Sequence, residues 1–344
     1  MYTVTKKIVE NFLQNLIYNI LGGIYKPCEN VDLNLYNDEE QNKKYLGTYF
    51  FRSFTESYTI MSDLFKSKIF AEALTNKDKI SILDIGSGTG GNLIGVLTFL
   101  AESGLSNKSI VVYSIDGNEI AIASQEIMVK EFNKKFNTAF IVNTHRIVFD
   151  NKESFKTNMN TFLAKINEPF DIIMTFKFIS EFYNINARES FGFYQEFLNL
   201  FQDKISVNGI VILLDIVSKD KMKQRDYITK FLSFEINKYL NNTSSNLSCI
   251  FPLSCAFWFK ECTNKDCYIE RNFVIQNGKV SNDISKVAYR VLARKEFAND
   301  ILTSIQRKNE YQVSDNTKNP TKCEGGRISK INQLLFKHQS AFVL

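Results

Sequence analysis

Residues 83–91 read LDIGSGTGG: an apolar run ends at Asp84, glycines follow at 86, 88 and 90 with Ser87 between the first two, and a helical pattern then begins. Backbone lying this close to a ligand leaves no room for a Cβ, and part of such a turn needs positive φ, so glycine is the residue that suits it. A glycine loop alone is shared with dinucleotide-binding folds. Two further features set this one apart. An acid, Asp84, stands just before the first glycine, and a second acid, Asp116, closes the next apolar run 32 residues later with Gly117 behind it.

A second concentration of chemistry lies at residues 249–267. Four of the six cysteines, Cys249, Cys255, Cys262 and Cys267, fall in this stretch as C-x5-C-x6-C-x4-C. The spacing is irregular, without the paired C-x-x-C knuckles of a zinc ribbon, and no histidine is near. Read alone, it leaves both a metal site and buried reduced thiols open, and Cys28 reads as a small hydrophobe. His145 and His338 lie in separate segments and do not suggest a shared dyad.

These residues must be positioned by elements, and the pattern around them alternates. Apolar runs at 80–85, 109–115, 139–149, 170–176 and 209–217 are separated by helical patterns at 90–103, 118–135, 189–204 and 219–240. Strands apolar throughout and separated by helices predict a parallel sheet covered on both faces. Two more strands are predicted at 271–276 and 286–294, with a linker at 241–248. Val4, Ile8, Phe12, Leu16 and Ile20 predict an N-terminal amphipathic helix, and residues 45–70 a second helical region rich in aromatics. Tyr45, Tyr49, Phe50, Phe54 and Tyr58 fit either a core face or a lid over the glycine loop.

The net charge of +5 over 344 residues permits an acidic partner without requiring one. No run is long and apolar enough to span a bilayer, and the first residues lack the pattern of a secretory signal or of a matrix-targeting peptide. A cytoplasmic, reducing location is expected, ahead of a mitochondrial one, with no membrane and no DNA partner. Structural disulfides are not expected there.

The glycine loop, its preceding acid and the acid ending the second strand resemble the class I S-adenosylmethionine-dependent methyltransferases. The resemblance implies an α/β Rossmann-like fold with a mostly parallel seven-stranded sheet. It also implies a loop that holds the amino-acid end of S-adenosylmethionine and an Asp116 that grips the ribose hydroxyls. The expected cofactor residues are Asp84, Gly86, Ser87, Gly88, Gly90, Asp116 and Gly117. Asp150, after the third strand, is placed either as an acceptor for the adenine amino group or as a helix cap. After the fourth strand, TFKFISEF (175–182) carries neither a polar-Pro-Pro-aromatic nor a Pro-Cys motif. Lys177, Ser180 and Glu181 are the catalytic candidates there, a solvated helix start being the plain alternative.

Three stretches narrow the resemblance: YLGTYFFRSFTESYTIMSDLF (45–65), DIIMTFKFISEF (171–182) and KVAYRVLARKEF (286–297). With the cysteines, they resemble the mitochondrial ribosomal small-subunit-associated methyltransferase-like family and its bacterial relatives. That family has a C-x5-C pair, a third cysteine and a fourth some 55 residues on, associated with an iron–sulfur cluster. Cys249, Cys255, Cys267 and Cys323 match this pattern, and four thiolates suit a [4Fe–4S] site, with zinc as the rival. The chain departs from the family in having Ile250-Phe251 where Pro-His is usual, and Cys262 competes with Cys267 for the third place.

The organisation implied is an N-terminal helical segment (1–44), a methyltransferase core (45–240) and a cysteine-rich C-terminal module with the last two core strands and a basic tail (241–344). The segment Ser304–Lys337 holds seven Lys/Arg against three Asp/Glu. That suits contact with the small ribosomal subunit or its RNA, or an ordinary solvated surface. Three functions are therefore expected: a methyltransferase acting on or bound to that RNA, a donor-binding assembly factor without catalysis, or a small-molecule methyltransferase with a structural zinc. Neither the methyl acceptor nor the oligomeric state follows from the sequence.

Overall fold

The computed structural model describes residues 6–27, 36–217, 228–258 and 271–307. The chain begins with β1 (Lys6–Ile8) and α1 (Asn11–Asn15), which passes into a π-helical turn (Leu16–Ile20). Next come α2 (Glu39–Phe65), α3 (Lys68–Thr75), β2 (Lys79–Ile85), and α4 (Gly91–Leu100) with a π-helical end (Ala101–Leu105). The core continues through β3 (Ser109–Asp116), α5 (Glu119–Phe136), β4 (Ile141–Arg146), α6 (Lys152–Leu163), β5 (Phe170–Phe176), α7 (Ile179–Ser190) and α8 (Phe193–Phe201). The last elements are β6 (Ile205–Ile216), α9 (Ile228–Leu240), β7 (Leu247–Phe251), α10 (Leu253–Trp258), β8 (Arg271–Asn277), β9 (Val280–Arg294) and α11 (Lys295–Arg307).

The sheet runs β1-β8-β9-β6-β5-β2-β3-β4. β6, β5, β2, β3 and β4 are parallel, and β9 lies antiparallel to β6. β2 has β3 on one side and β5 on the other, so the sheet's direction of growth reverses there. In open α/β sheets, ligands bind beyond the carboxyl ends of the strands at such a switch point. The side chains explain why these strands are buried on both faces. Ile82, Val112, Met174 and Ile212 point into one apolar cluster; their neighbours Leu83, Ile173, Val211 and Leu213 point into the other.

The sheet has nine strands among the described residues rather than the seven expected. Residues 6–8 are one addition. They form an edge strand parallel to β8, in the register Lys6↔Val274 to Ile8↔Gln276, where a continuous helix over 4–20 is predicted. The helical stripe is out of phase with burial at Ile8 and Ile20, which are 64% and 53% exposed; Leu16 of the stripe is buried, but Val9, Leu13 and Ile17, which lie off it, fill the core beside it. Backbone pairing to a free sheet edge overrides the local pattern. The second addition, β7, joins the end of the predicted linker (247–248) to the first residues of the cysteine stretch (249–251) and pairs with the end of β9. Helices α6, α10 and α11 are also unpredicted. α6 is capped by Asn151, whose side chain accepts from the Glu153 and Ser154 amides, and it buries Phe155, Met159, Phe162 and Leu163.

α2 borders the site through Tyr45. Asp38 caps it, accepting from the Gln41 amide at 2.8 Å while the Gln41 side chain accepts from the Asp38 amide. Its middle lies directly on α4, where Gly91 and Gly95 let the two backbones approach. Among the described residues, no helix is long and apolar enough to cross a membrane.

Candidate functional site

A cleft opens at the carboxyl ends of β2, β3 and β5. The loop after β2 forms its floor, with positive φ at Gly86 (66°), Gly88 (53°) and Gly90 (81°). A Cβ on Gly86 would come within 2.4 Å of the Phe178 side chain, so no other residue fits there without displacing that ring. The loop hangs from the end of β3: the Gly86 and Ser87 amides donate to the Ile115 carbonyl at 2.9 and 3.1 Å.

Asp116 sits in the same cleft. Its Oδ2 accepts from the Gly88 amide at 2.7 Å and its Oδ1 from the Asn118 amide at 2.8 Å. Burial raises its pKa above the ordinary range, and these backbone donors pull it partly back. Each oxygen keeps a lone pair for a further donor. Gly86, Gly88, Asp116 and Gly117 line the cleft together, whereas Gly90, at the start of α4, does not.

The other expected residues are distributed differently. Asp84 is fully buried below the loop, accepting from Asn92 Nδ2 at 2.6 Å, and its Oδ2 has no hydrogen-bond partner among the described residues. Burial, with Asp116 nearby, holds its carboxyl far above the usual carboxylate range. Asp84 therefore pins the start of α4 and does not itself line the cleft. Ser87 is buried, and its hydroxyl accepts from Gln125 Nε2 at 2.8 Å. Asp150 is exposed and does not line the cleft; its amide donates to Ser154 Oγ at the start of α6.

Of the three residues after β5, Lys177 and Glu181 reach the cleft. Lys177 has φ 62°, an uncommon conformation for a residue with a Cβ, and its Nζ lies 2.8 Å from the buried Glu56 Oε2 and 3.3 Å from Ser53 Oγ. Its charge is thus spent on α2. Ser180 is buried away from the cleft: its hydroxyl donates to the Lys177 carbonyl at 3.2 Å and its amide faces Asp215. Glu181 lines the cleft, and burial together with Asp116 and Asp215 pushes its carboxyl up to about 8.

Tyr45 alone among the five aromatic residues of α2 named above lines the cleft. Phe50 and Phe54 are buried in the core, Tyr49 packs on Tyr45 at 5.1 Å, and Tyr58 donates to Glu102 Oε2 at 2.6 Å. Ile147, Phe149, Phe178 and Phe182 complete an apolar wall. Gln125 escapes sequence reasoning. From α5 its amide nitrogen braces the loop at Ser87 Oγ and the Gly88 carbonyl, while its Oε1 accepts from Ser114 Oγ at 2.6 Å. Nothing in a helical glutamine signals this. Asn118 could have been found, as a side-chain cap two residues after Asp116, accepting from the Ile120 and Ala121 amides.

Cys249 is buried on β7, its thiol donating to the Phe251 carbonyl at 3.2 Å, and Cys255 lies on α10. Cys28, Cys262, Cys267 and Cys323 lie outside the described residues, as does most of the Ser304–Lys337 segment. Among the described residues, no three metal-ligating side chains come together.

No family model matches the chain, and no curated protein matches it. Among solved structures it is similar to the plantazolicin methyltransferase BpumL in complex with SAH, at 12% identity over 83% of this chain and 98% of that one, TM-score 0.42. A candidate class I S-adenosylmethionine-dependent methyltransferase from Listeria monocytogenes matches at 11% identity over 70% of this chain, TM-score 0.36. The match spans 60% of the Listeria chain's length. An S-adenosylmethionine-dependent methyltransferase from Clostridium acetobutylicum matches at 10% identity over 74% of this chain and 79% of that one, TM-score 0.27.

Proposed function

We propose that the chain is a class I methyltransferase whose donor, S-adenosylmethionine, lies in the cleft at the β2 switch point. The observation that carries this reading is the meeting of the Gly86–Gly90 loop and Asp116 in one cleft. The residues fit an adenosine ligand. Asp116 keeps acceptor capacity for two ribose hydroxyls, Gly86 and Gly88 line the cleft beside it, and Ile147 and Phe149 offer an apolar wall to a planar base. When bound, the donor supplies a methyl carbon already made electrophilic by its sulfonium.

The chain's own work is then alignment and exclusion of water. Tyr45 closes the α2 side of the cleft, and Lys177, tied to Glu56, fixes that helix against the end of β5. Titration calorimetry with donor and with its demethylated product tests the reading. Micromolar or tighter binding is expected. Asp116→Ala should weaken it at least about tenfold, the scale of a lost hydrogen bond to a charged group. A folded wild-type chain that binds neither ligand would refute the proposal.

The sequence resemblance extends the proposal to a [4Fe–4S] cluster on Cys249, Cys255, Cys267 and Cys323, and to the small ribosomal subunit or its RNA as target. In support stand the 55-residue gap before Cys323 and the positive balance of the tail. Iron, sulfide and zinc per chain, measured on anaerobically purified wild type and Cys323→Ser, test the first part. Four iron and four sulfide, lost in the variant, are expected for such a cluster. One zinc would replace iron in the same module, and no metal would remove it. Salt-sensitive co-sedimentation with small subunits tests the second part.

A further inference from the structure

The cleft holds more carboxyl groups than a neutral adenosine compound needs. Asp116 and Glu181 both line it, and the one cation lining it among the described residues, Lys177, is paired with Glu56. Behind them Asp215, 2% exposed, accepts from Tyr194 Oη at 2.7 Å, and Asp84 lies one strand over from Asp116. Glu181 stands in the first turn of α7 with Phe178 and Phe182 about it. Among the described residues, its carboxylate has no hydrogen-bond or ion-pair partner. A half-buried acid facing a cleft without a counter-charge is left for a ligand to satisfy.

We infer that Glu181 reads the charge of the ligand, so that the cleft holds the cationic donor and lets go of the neutral product. The inference rests on the donor reading above. Transfer forms the acceptor–methyl bond, breaks the sulfur–methyl bond and leaves that electron pair on sulfur. The ligand thereby loses its positive charge, and the acceptor's proton leaves with the methylated product or to solvent. Glu181 is not asked to take it.

The groups facing Glu181 are Asp116 from β3, Asp215 from β6, Tyr45 from α2 and the compensated Lys177–Glu56 pair. Without a cation in the cleft, burial and the two carboxylates keep the Glu181 carboxyl protonated at neutral pH, with a pKa of about 8. A cation there favours the ionised form, so cation binding expels a proton. Donor affinity then rises with pH up to that value, whereas a neutral thioether gains nothing.

The experiment is calorimetry on the full chain at pH 6, 7 and 8, with donor, a non-reactive amine analogue of the donor, and demethylated product. Two buffers of different ionisation heat count the protons. Donor and amine affinity should climb about tenfold per pH unit between 6 and 8, with about one proton released per ligand at pH 7 and a flat profile for the product. Glu181→Gln, which mimics the protonated side chain and spares the fold, should abolish proton release and flatten the donor's profile. Donor binding in the wild type without proton release, or a pH-independent donor-to-product ratio, overturns the inference and leaves the donor reading standing. Failure of the folded wild type to bind any of the three overturns both.

Discussion

Two carboxylates in one cleft are treated differently by their surroundings. Asp116 accepts from backbone amides on both oxygens, while Glu181 accepts from none among the described residues, and burial acts on it almost unopposed. The consequence for stability has a definite sign. A carboxyl whose folded pKa, about 8, exceeds its ordinary 4.5 makes the native state bind the extra proton. Its contribution is complete below 4.5 and is lost as pH rises through 8. Asp215, raised to about 6, adds the same slope at lower pH. The ligand-free protein should therefore melt at falling temperature from pH 5 to 8, and Glu181→Gln should flatten the upper part of that curve; thermal melts across the range decide it. At this scale the sequence was readable where residue type is itself the chemistry, as at the glycines and Asp116. It was unreadable where side-chain direction decides, because Ser180 turns inward to Lys177 and Gln125 turns up to the loop only within the packed fold.

Among the elements, α2 and α4 form the contact on which the cleft's outer wall depends. A Cβ on Gly95 would lie 2.1 Å from Ser57 Oγ and 2.4 Å from the Phe54 carbonyl, and backbone cannot step aside as a flexible side chain can. Gly95→Ala should thus push α2 off α4 and destabilise the protein by about 1–3 kcal/mol, measured by urea denaturation, despite alanine's better helix propensity. Because α2 carries Tyr45, donor affinity should fall in the same variant. The sequence shows α4 as an apolar run but not which face needs glycine. The central strands were readable because burial on both faces leaves an uninterrupted apolar signature, as in ISILDI and FDIIMTF. β1 and β7 carry no such signature. Each exists because a neighbouring strand, β8 or β9, offers it an edge.

Across the whole molecule, long-range polar contacts fasten the helical layer to the C-terminal strands, and the sequence gives no hint of them. Arg52 donates from Nε and Nη2 to both oxygens of Asp283, each at 2.8 Å, across 231 residues. Asp63 accepts from Arg271 at 2.7 Å, and Glu56 accepts from Ser285. α2 is therefore held at one end over the cleft and along its length to the β8–β9 hairpin, so the cleft and the strands that close the sheet share one support. Asp283 is 7% exposed, and removing its arginine would leave a buried carboxylate without its counter-charge. Arg52→Met should cost about 2 kcal/mol, below the figure for a fully buried pair because Arg52 retains some access to water. Arg52→Met combined with Asp283→Asn should recover at least half of that loss, since the stranded charge goes with it. Denaturant midpoints of the three variants test the coupling, and donor titration on each tests its reach. If the hairpin's hold on α2 sets the position of Tyr45, affinity will follow stability through the series, falling in the single variant and returning in the double. Unchanged affinity throughout would mean that the α2–α4 contact alone positions the wall of the cleft.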